Sequence, residues 1–242
     1  MINKIINIIL YFILIENVFT FKSCIVLFTG GSNTMSAGIY TDFLTNLNNS
    51  HKIIKKPFIF RDNLDYLKLD NLKLDNLKLD NLKLDNCILD NLEILKDEYQ
   101  SITYLAHSSG ATTAINKINP LVNRLILLDP VATPNIDYNI NLDTLYSIDI
   151  INAELSYKWT YKPPFLPFIP IFKLDPNRLK INKQFVNIEI IKNYGHADLI
   201  DNPYRNLMHY TGLSRGNNDR KKSIREYHQL LVEKINCIIY QL

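Results

Sequence analysis

The chain has 242 residues, enough for one domain with a substantial core but short for two. Hydrophobic residues at 47% and charged residues at 21% exclude a disordered or fibrous protein. A formal charge of only +3, from 27 Lys plus Arg against 24 Asp plus Glu, removes nucleic acid as the default partner. Three cysteines, Cys24, Cys87 and Cys237, stand far apart with no CxxC pair, so free thiols and no structural metal are expected.

Residues 5–15 form an apolar run, broken by Asn7, behind Lys4 and closed by Glu16 and Asn17. This is the shape of a signal-peptide core, and it falls short of the roughly 20 residues that a helix needs to cross a bilayer. Two other readings stay open: first strands or a helix of the domain, and an uncleaved anchor. The signal-peptide reading implies a secretory route, and otherwise a cytoplasmic protein is expected. There is no firm evidence for a membrane span, and the domain proper is taken as residues 24–242.

From Cys24 onward, short apolar runs alternate with helical patterns, the signature of a mostly parallel sheet with helices on both faces. The runs are CIVLFT (24–29), PFIFR (57–61), ITYLA (102–106), RLILL (124–128), SIDII (147–151) and VNIEII (186–191). Residues 37–48 and 109–118 read as helices. A last helix carries Ile224, Tyr227, Leu231, Ile235 and Ile238 at spacings of three and four, one stripe for packing on the sheet.

Residues 67–91 depart from this pattern, with LKLDN four times and then CILDN. On a helix, equivalent leucines of successive units are turned by about 140°, so they spread over every face; on a strand, an odd period sends them to opposite sides. The repeat resembles pentapeptide-repeat sequences, which build a four-sided solenoid, but five units make little more than one coil. The leading reading is an expanded connection that includes the helix expected here, with leucines laid on the domain and Asp-Asn corners in solvent. A solenoid-like coil and partial disorder are the alternatives.

The sharpest local signal is Ala106-His107-Ser108-Ser109-Gly110, between the ITYLA strand and a helix. In a nucleophile elbow the serine takes a strained conformation that lifts its hydroxyl clear of the sheet, and the residues two positions either side must be small. Ala106 and Gly110 satisfy this, although Ala106 replaces the commoner glycine. The plainer alternative is a helix cap by Ser108 or Ser109. A base is offered by His196, in Gly195-His196-Ala197-Asp198, which follows VNIEII after only three intervening residues, at the carboxyl edge of the sheet. A neutral imidazole there can take the serine proton during attack and return it to the leaving group.

Asp129, directly after RLILL, is the first choice of acid. Glu154, just after SIDII, is the alternative, while Asp149 lies inside a strand and Asp198 reads as structural. Asn202-Pro203 reads as a helix cap with proline in the first helical position. Donors for an oxyanion are expected from the backbone of Ser109 and from the glycine turn FTGGSN, at Gly30 and Gly31. An ordinary tight turn is the alternative there.

Taken together, FTGG, AHSSGA, LLDPV and NYGHADLID resemble the α/β-hydrolase superfamily over roughly residues 24–242. Pairing LDPV with GHADLID is similar to chlorophyllase-like and lipase-like serine esterases, whose acid follows the strand after the elbow. The resemblance implies the α/β-hydrolase fold, with Ser108 as nucleophile, Asp129 as acid and His196 as base, and no cofactor or metal. Two departures stand out: Thr29-Gly30 in place of the usual His-Gly of the oxyanion loop, and the repeat.

The aromatic, proline-rich segment at 159–172 suggests an apolar acyl or alcohol group, or else packs on the core. The basic run Arg220, Lys221, Lys222 and Arg225 reads as the solvated start of the last helix. The expected partner is a small-molecule or lipid-like ester, with oligomeric state unassigned. The competing function is a catalytically inactive fold that uses the repeat for binding. Lengthening or shortening a surface connection by whole units costs little loop entropy. Deleting residues 72–81 should therefore leave a soluble protein with unchanged activity, read by its unfolding midpoint and by ester turnover. Loss of folding would instead place the repeat in the core.

Overall fold

The computed structural model describes residues 23–30, 35–48, 50–55, 92, 95–132, 136–140, 145–157, 172–181, 183–210 and 222–240. The amino-terminal run, the strand expected at 57–61, Gly31, the repeat at 67–91, residues 159–171 and the first two residues of the basic run lie outside these. Six strands form one sheet: β1 (Ser23–Phe28), β2 (Lys52–Lys55), β3 (Ser101–His107), β4 (Arg124–Leu128), β5 (Ser147–Ala153) and β6 (Val186–Ile191). Their order is β6-β5-β4-β3-β1-β2, and every neighbouring pair is parallel.

That order has one reversal. From β1 the chain moves outward to β2, then returns to the other side of β1 as β3 and continues the opposite way. Right-handed crossovers in opposite directions put their helices on opposite faces of the sheet. The connection from β1 carries a 3-10 turn, Ala37–Tyr40, running into α1 (Thr41–Leu47), and that from β3 carries α2 (Gly110–Asn116). Beyond them come α3 (Glu154–Tyr157), α4 (Tyr204–Tyr210) and α5 (Lys222–Tyr240).

Two core layers follow from the period-two alternation of strand side chains. Ile25, Leu27, Leu105, Ile126, Leu128 and Ile151 face α1 and α5, meeting Phe43, Leu44 and Leu47 and the stripe Tyr227, Leu231, Ile235 and Ile239. Val26, Phe28, Tyr104, Ala106, Leu125, Leu127, Ile148 and Ile150 face α2, meeting Ala111, Ala114 and Ile115. The stripe of α5 ends on Ile239 rather than on Ile238, which packs only at its margin.

Two local expectations change. The second strand is Lys52–Lys55, which sequence reading passed over because only Ile53 and Ile54 are apolar and lysines flank them, a common composition for an edge strand. Helix α4 begins at Tyr204, and the Pro203 carbonyl accepts the Leu207 N–H at 3.1 Å, so the proline precedes the helix instead of occupying its first position. Among the described residues no helix is long and apolar enough to cross a membrane.

Gly110 seats α2 against the end of β1. A Cβ there would lie 2.2 Å from the Thr29 carbonyl oxygen and 2.8 Å from that of Phe28, both backbone atoms that cannot move aside independently. Gly110→Ala should therefore cost on the order of 3 kcal/mol or more in urea-unfolding stability. Gly38→Ala, whose nearest neighbour is the Ser36 hydroxyl at 3.3 Å, should cost much less.

Candidate active site

Beyond His107 the chain turns sharply into α2, and Ser108 sits in that turn at φ 57, a left-handed conformation that non-glycine residues rarely adopt. Two backbone bonds hold it there: the Ser108 N–H donates to the Leu128 carbonyl at 3.1 Å, and the Ser108 carbonyl accepts from Val131 at 3.0 Å. Asp129 ends β4 in the same unusual region, at φ 43, with its N–H donated to the Ile151 carbonyl at 2.7 Å. Both turns are thereby tied to the next strand of the sheet.

The three side chains form one chain of contacts. His196 Nδ1 is 2.5 Å from Asp129 Oδ2, and His196 Nε2 is 2.9 Å from Ser108 Oγ. Asp129 Oδ1 accepts the Ala153 N–H at 3.2 Å, so the carboxylate is held from two sides, by β5 and by the His196 ring. With Nδ1–H donating to the carboxylate, Nε2 is left as the acceptor for the serine hydroxyl. Asp129 and His196 are buried, whereas Ser108 is partly open. Burial pushes the Asp129 carboxyl up, but the hydrogen bond and charge of His196 and the nearby Lys173 ammonium outweigh it and hold the group at about 2. Lys173 Nζ lies 3.7 Å from Asp129 Oδ1.

His196 opens a 3-10 turn, His196–Leu199, whose position is set by two carboxylates. Asp198, fully buried, accepts the Gly195 N–H at 2.7 Å and pairs with Arg205 Nε at 3.0 Å. Asp201 accepts the Thr41 N–H at 2.6 Å, fastening the far end of the segment to the start of α1. Glu154 is placed elsewhere: it opens α3 and accepts the Asn193 N–H at 2.9 Å. Asp149 accepts from Ser147 and Asn187 within the sheet.

The oxyanion turn differs from expectation. Gly30 does lie beside the serine, since a Cβ built on it would be 3.4 Å from Ser108 Cβ. Its N–H, however, donates to the Tyr40 hydroxyl at 3.0 Å rather than standing open beside the serine, and Gly31 lies outside the described residues. Ser109 immediately precedes α2.

Sequence reading missed Tyr40 and the role of His107. Tyr40 Oη is 2.9 Å from His107 Nδ1, and His107 Nε2 is 3.3 Å from the His196 carbonyl oxygen. The imidazoles of His107 and His196 stack with centroids 4.7 Å apart. A tyrosine at the apolar spacing of a helix gives no signal of this, and His107 is visible only as a neighbour of Ser108. Among the described residues no group of three or more His, Cys, Asp and Glu side chains could hold a metal ion.

Burial, reinforced by the charge of His196, lowers His107 from an ordinary 6.5 to about 3. Burial also lowers His51, His209 and His228. Between those two values the unfolded chain binds a proton at position 107 that the folded protein does not, so stability falls as the pH drops through that window. For His107 alone the loss from pH 7 to pH 5 is about 2 kcal/mol. Urea titrations should show His107→Gln with a flatter stability profile than the parent by that amount, and equal slopes would show that His107 takes up a proton in the folded state.

No family model matches the chain, and no curated protein matches it. Its structure is similar to several solved ones. An uncharacterized protein from Bacillus cereus is 12% identical at a TM-score of 0.43, over 89% of this chain and 60% of that one. A protein assigned to the α/β hydrolase superfamily, from Xanthomonas campestris, is 12% identical at 0.43, over 87% and 98%. YahD, solved with malic acid, is 14% identical at 0.42, over 89% and 95%. Within the chain itself, the parallel sheet, the serine turn between β3 and α2 and the histidine after the last strand make this the α/β-hydrolase fold.

Proposed function

We propose that this protein is a serine hydrolase that cleaves a carboxylic ester through an acyl-enzyme. The observation that carries the reading is the continuous contact from Asp129 through both ring nitrogens of His196 to the hydroxyl of Ser108, a residue held at positive φ. Backbone strain of this kind persists only where surrounding structure imposes it, and it clusters at reactive positions.

In the proposed reaction Ser108 Oγ attacks the ester carbonyl while His196 Nε2 takes its proton. The tetrahedral oxyanion collapses, the carbon–oxygen bond to the alcohol breaks, and His196 returns the proton to the departing alkoxide. Water then repeats the sequence on the acyl-serine and releases the acid. Asp129 keeps Nδ1–H in place and stabilises the imidazolium that forms each time. Its low pKa suits this role, because the carboxylate stays ionised throughout the range in which a histidine base works. The Ser109 N–H, at the head of α2, is the proposed first donor to the oxyanion.

A fluorophosphonate probe should label Ser108, and p-nitrophenyl esters of increasing acyl length should define the substrate. Ser108→Ala should abolish labelling and lower turnover on the order of a million-fold. Asp129→Asn should lose about 10⁴-fold in kcat, and Glu154→Gln only a few-fold. Persistent labelling of a folded Ser108→Ala protein, or full turnover by Asp129→Asn, would overturn the assignments.

A further inference from the structure

We propose that Tyr40 and His107 form a positioning pair that holds the Gly30 turn and the His196 loop in register on either side of Ser108; this rests on the serine-hydrolase reading. The pair completes a path of three hydrogen bonds. The Gly30 N–H donates to Tyr40 Oη at 3.0 Å, Tyr40 Oη meets His107 Nδ1 at 2.9 Å, and His107 Nε2 meets the His196 carbonyl at 3.3 Å.

The direction of this path is forced by its ends. A backbone N–H only donates and a carbonyl only accepts, so each intermediate group has to accept on the Gly30 side and donate on the His196 side. A tyrosine hydroxyl can do both. A neutral imidazole can do both in one tautomer alone, with its proton on Nε2. An imidazolium would turn an N–H toward the hydroxyl and leave the tyrosine proton without its acceptor. It would also set a fixed positive charge against the ring of His196, which has to accept one during attack. The enclosed position of His107 favours the neutral form and excludes water that could replace either bond.

Packing alone does not account for these residues. Phenylalanine at 40 would fill the same space without a buried hydroxyl, whose desolvation is costly unless it is hydrogen-bonded. Tyr40 is fully buried, and its ring stands edge-on to His107 with centroids 5.5 Å apart. The bonds run to the two segments that flank the serine: Gly30, whose Cα faces Ser108, and the backbone of the base. Displacing either by a fraction of an ångström changes the geometry of attack, whereas the ground-state contacts of a bound ester are largely unaffected.

The test uses three substitutions that divide the path. Tyr40→Phe removes only the hydroxyl. His107→Asn keeps an acceptor near the Nδ1 position and loses the donor to His196, and His107→Gln keeps a donor near Nε2 and loses the acceptor for Tyr40. Competent sites in each protein are counted by fluorophosphonate titration, and kcat, KM and inhibition by a trifluoromethyl ketone are measured per titrated site on a p-nitrophenyl ester.

Each variant should lose roughly 10- to 100-fold in kcat with KM within about twofold, and the ketone should weaken in parallel with kcat/KM. Tyr40→Phe combined with His107→Gln should lose no more than the worse of the two, because both break the same bond. Unchanged kcat per titrated site, whether or not the unfolding midpoint falls, would overturn the positioning role. Should one variant fail to fold, the others decide the matter. Absence of Ser108 labelling in the parent protein would instead remove the serine-hydrolase reading and this proposal with it, whereas a labelled parent with indifferent variants would remove this proposal alone.

Discussion

Parallel register is the constraint on which the site depends. His107 pairs with Leu128 across β3 and β4, and Leu128 pairs with Ile151 across β4 and β5. Ser108, the first residue past β3, therefore bonds to Leu128 at the end of β4, and Asp129, the first past β4, bonds to Ile151, two residues before β5 ends at Ala153. A shift of one residue between any two strands would turn the side chains to the other face and separate the contacts. The reversal of strand order between β1 and β3 opens the same edge, since the chains leaving these two strands depart to opposite faces. Gly30 and Ser108 face each other across that gap.

Both turns of the candidate site carry non-glycine residues at positive φ, each at a cost of order 1–3 kcal/mol. The same hydrogen bonds that hold the turns to the neighbouring strands oppose this strain. At Ser108 the consequence is a hydroxyl lifted off the sheet. At Asp129 it is a carboxylate directed sideways, over the end of β5, where the Ala153 N–H and His196 both reach it. Glycine would be more comfortable at either position, but the side chain is the reason for the turn. Gly110 shows the converse: its conformation is ordinary and its missing side chain is what matters, because the end of β1 occupies the space a Cβ would need.

Much of this was legible from sequence because short apolar runs bounded by polar residues leave a plain trace, whether buried throughout as in RLILL or exposed along an edge as in VNIEII. RLILL and VNIEII were read with the bounds they have in the structure, and the chain order of serine, acid and histidine follows from where parallel strands end. Lys52–Lys55 was not legible, because an edge strand needs little apolar content and resists aggregation by carrying charge. The contest between Asp129 and Glu154 could not be resolved from spacing, since both follow strands; it depends on the direction of one carboxylate, which the left-handed turn determines. Gly30 was read for its amide, and the hydroxyl that engages that amide belongs to a tyrosine whose sequence position marks it only as core. Long-range hydrogen bonds between buried polar groups have no periodicity, so nothing in a sequence pattern exposes them.

The proposed base, His196, is held in two independent ways. Its ring is fixed through Nδ1 by Asp129, and its backbone is fixed by the segment around Asp198, which ties Gly195 to Arg205, and by Asp201, which ties the loop to α1. Ring and backbone could otherwise move separately, and a histidine on a loop has rotational freedom about both side-chain torsions. Asp129 and Asp198 are themselves buried and partnered, so in the proposed reaction neither has to be reoriented when charge develops on His196. Dipoles already aligned before the reaction do not have to be aligned during it, which is the form of stabilisation that a low-dielectric site supplies and water does not. The burial of Asp129, unfavourable for an isolated carboxylate, therefore becomes useful once the histidine and the Ala153 amide are in place.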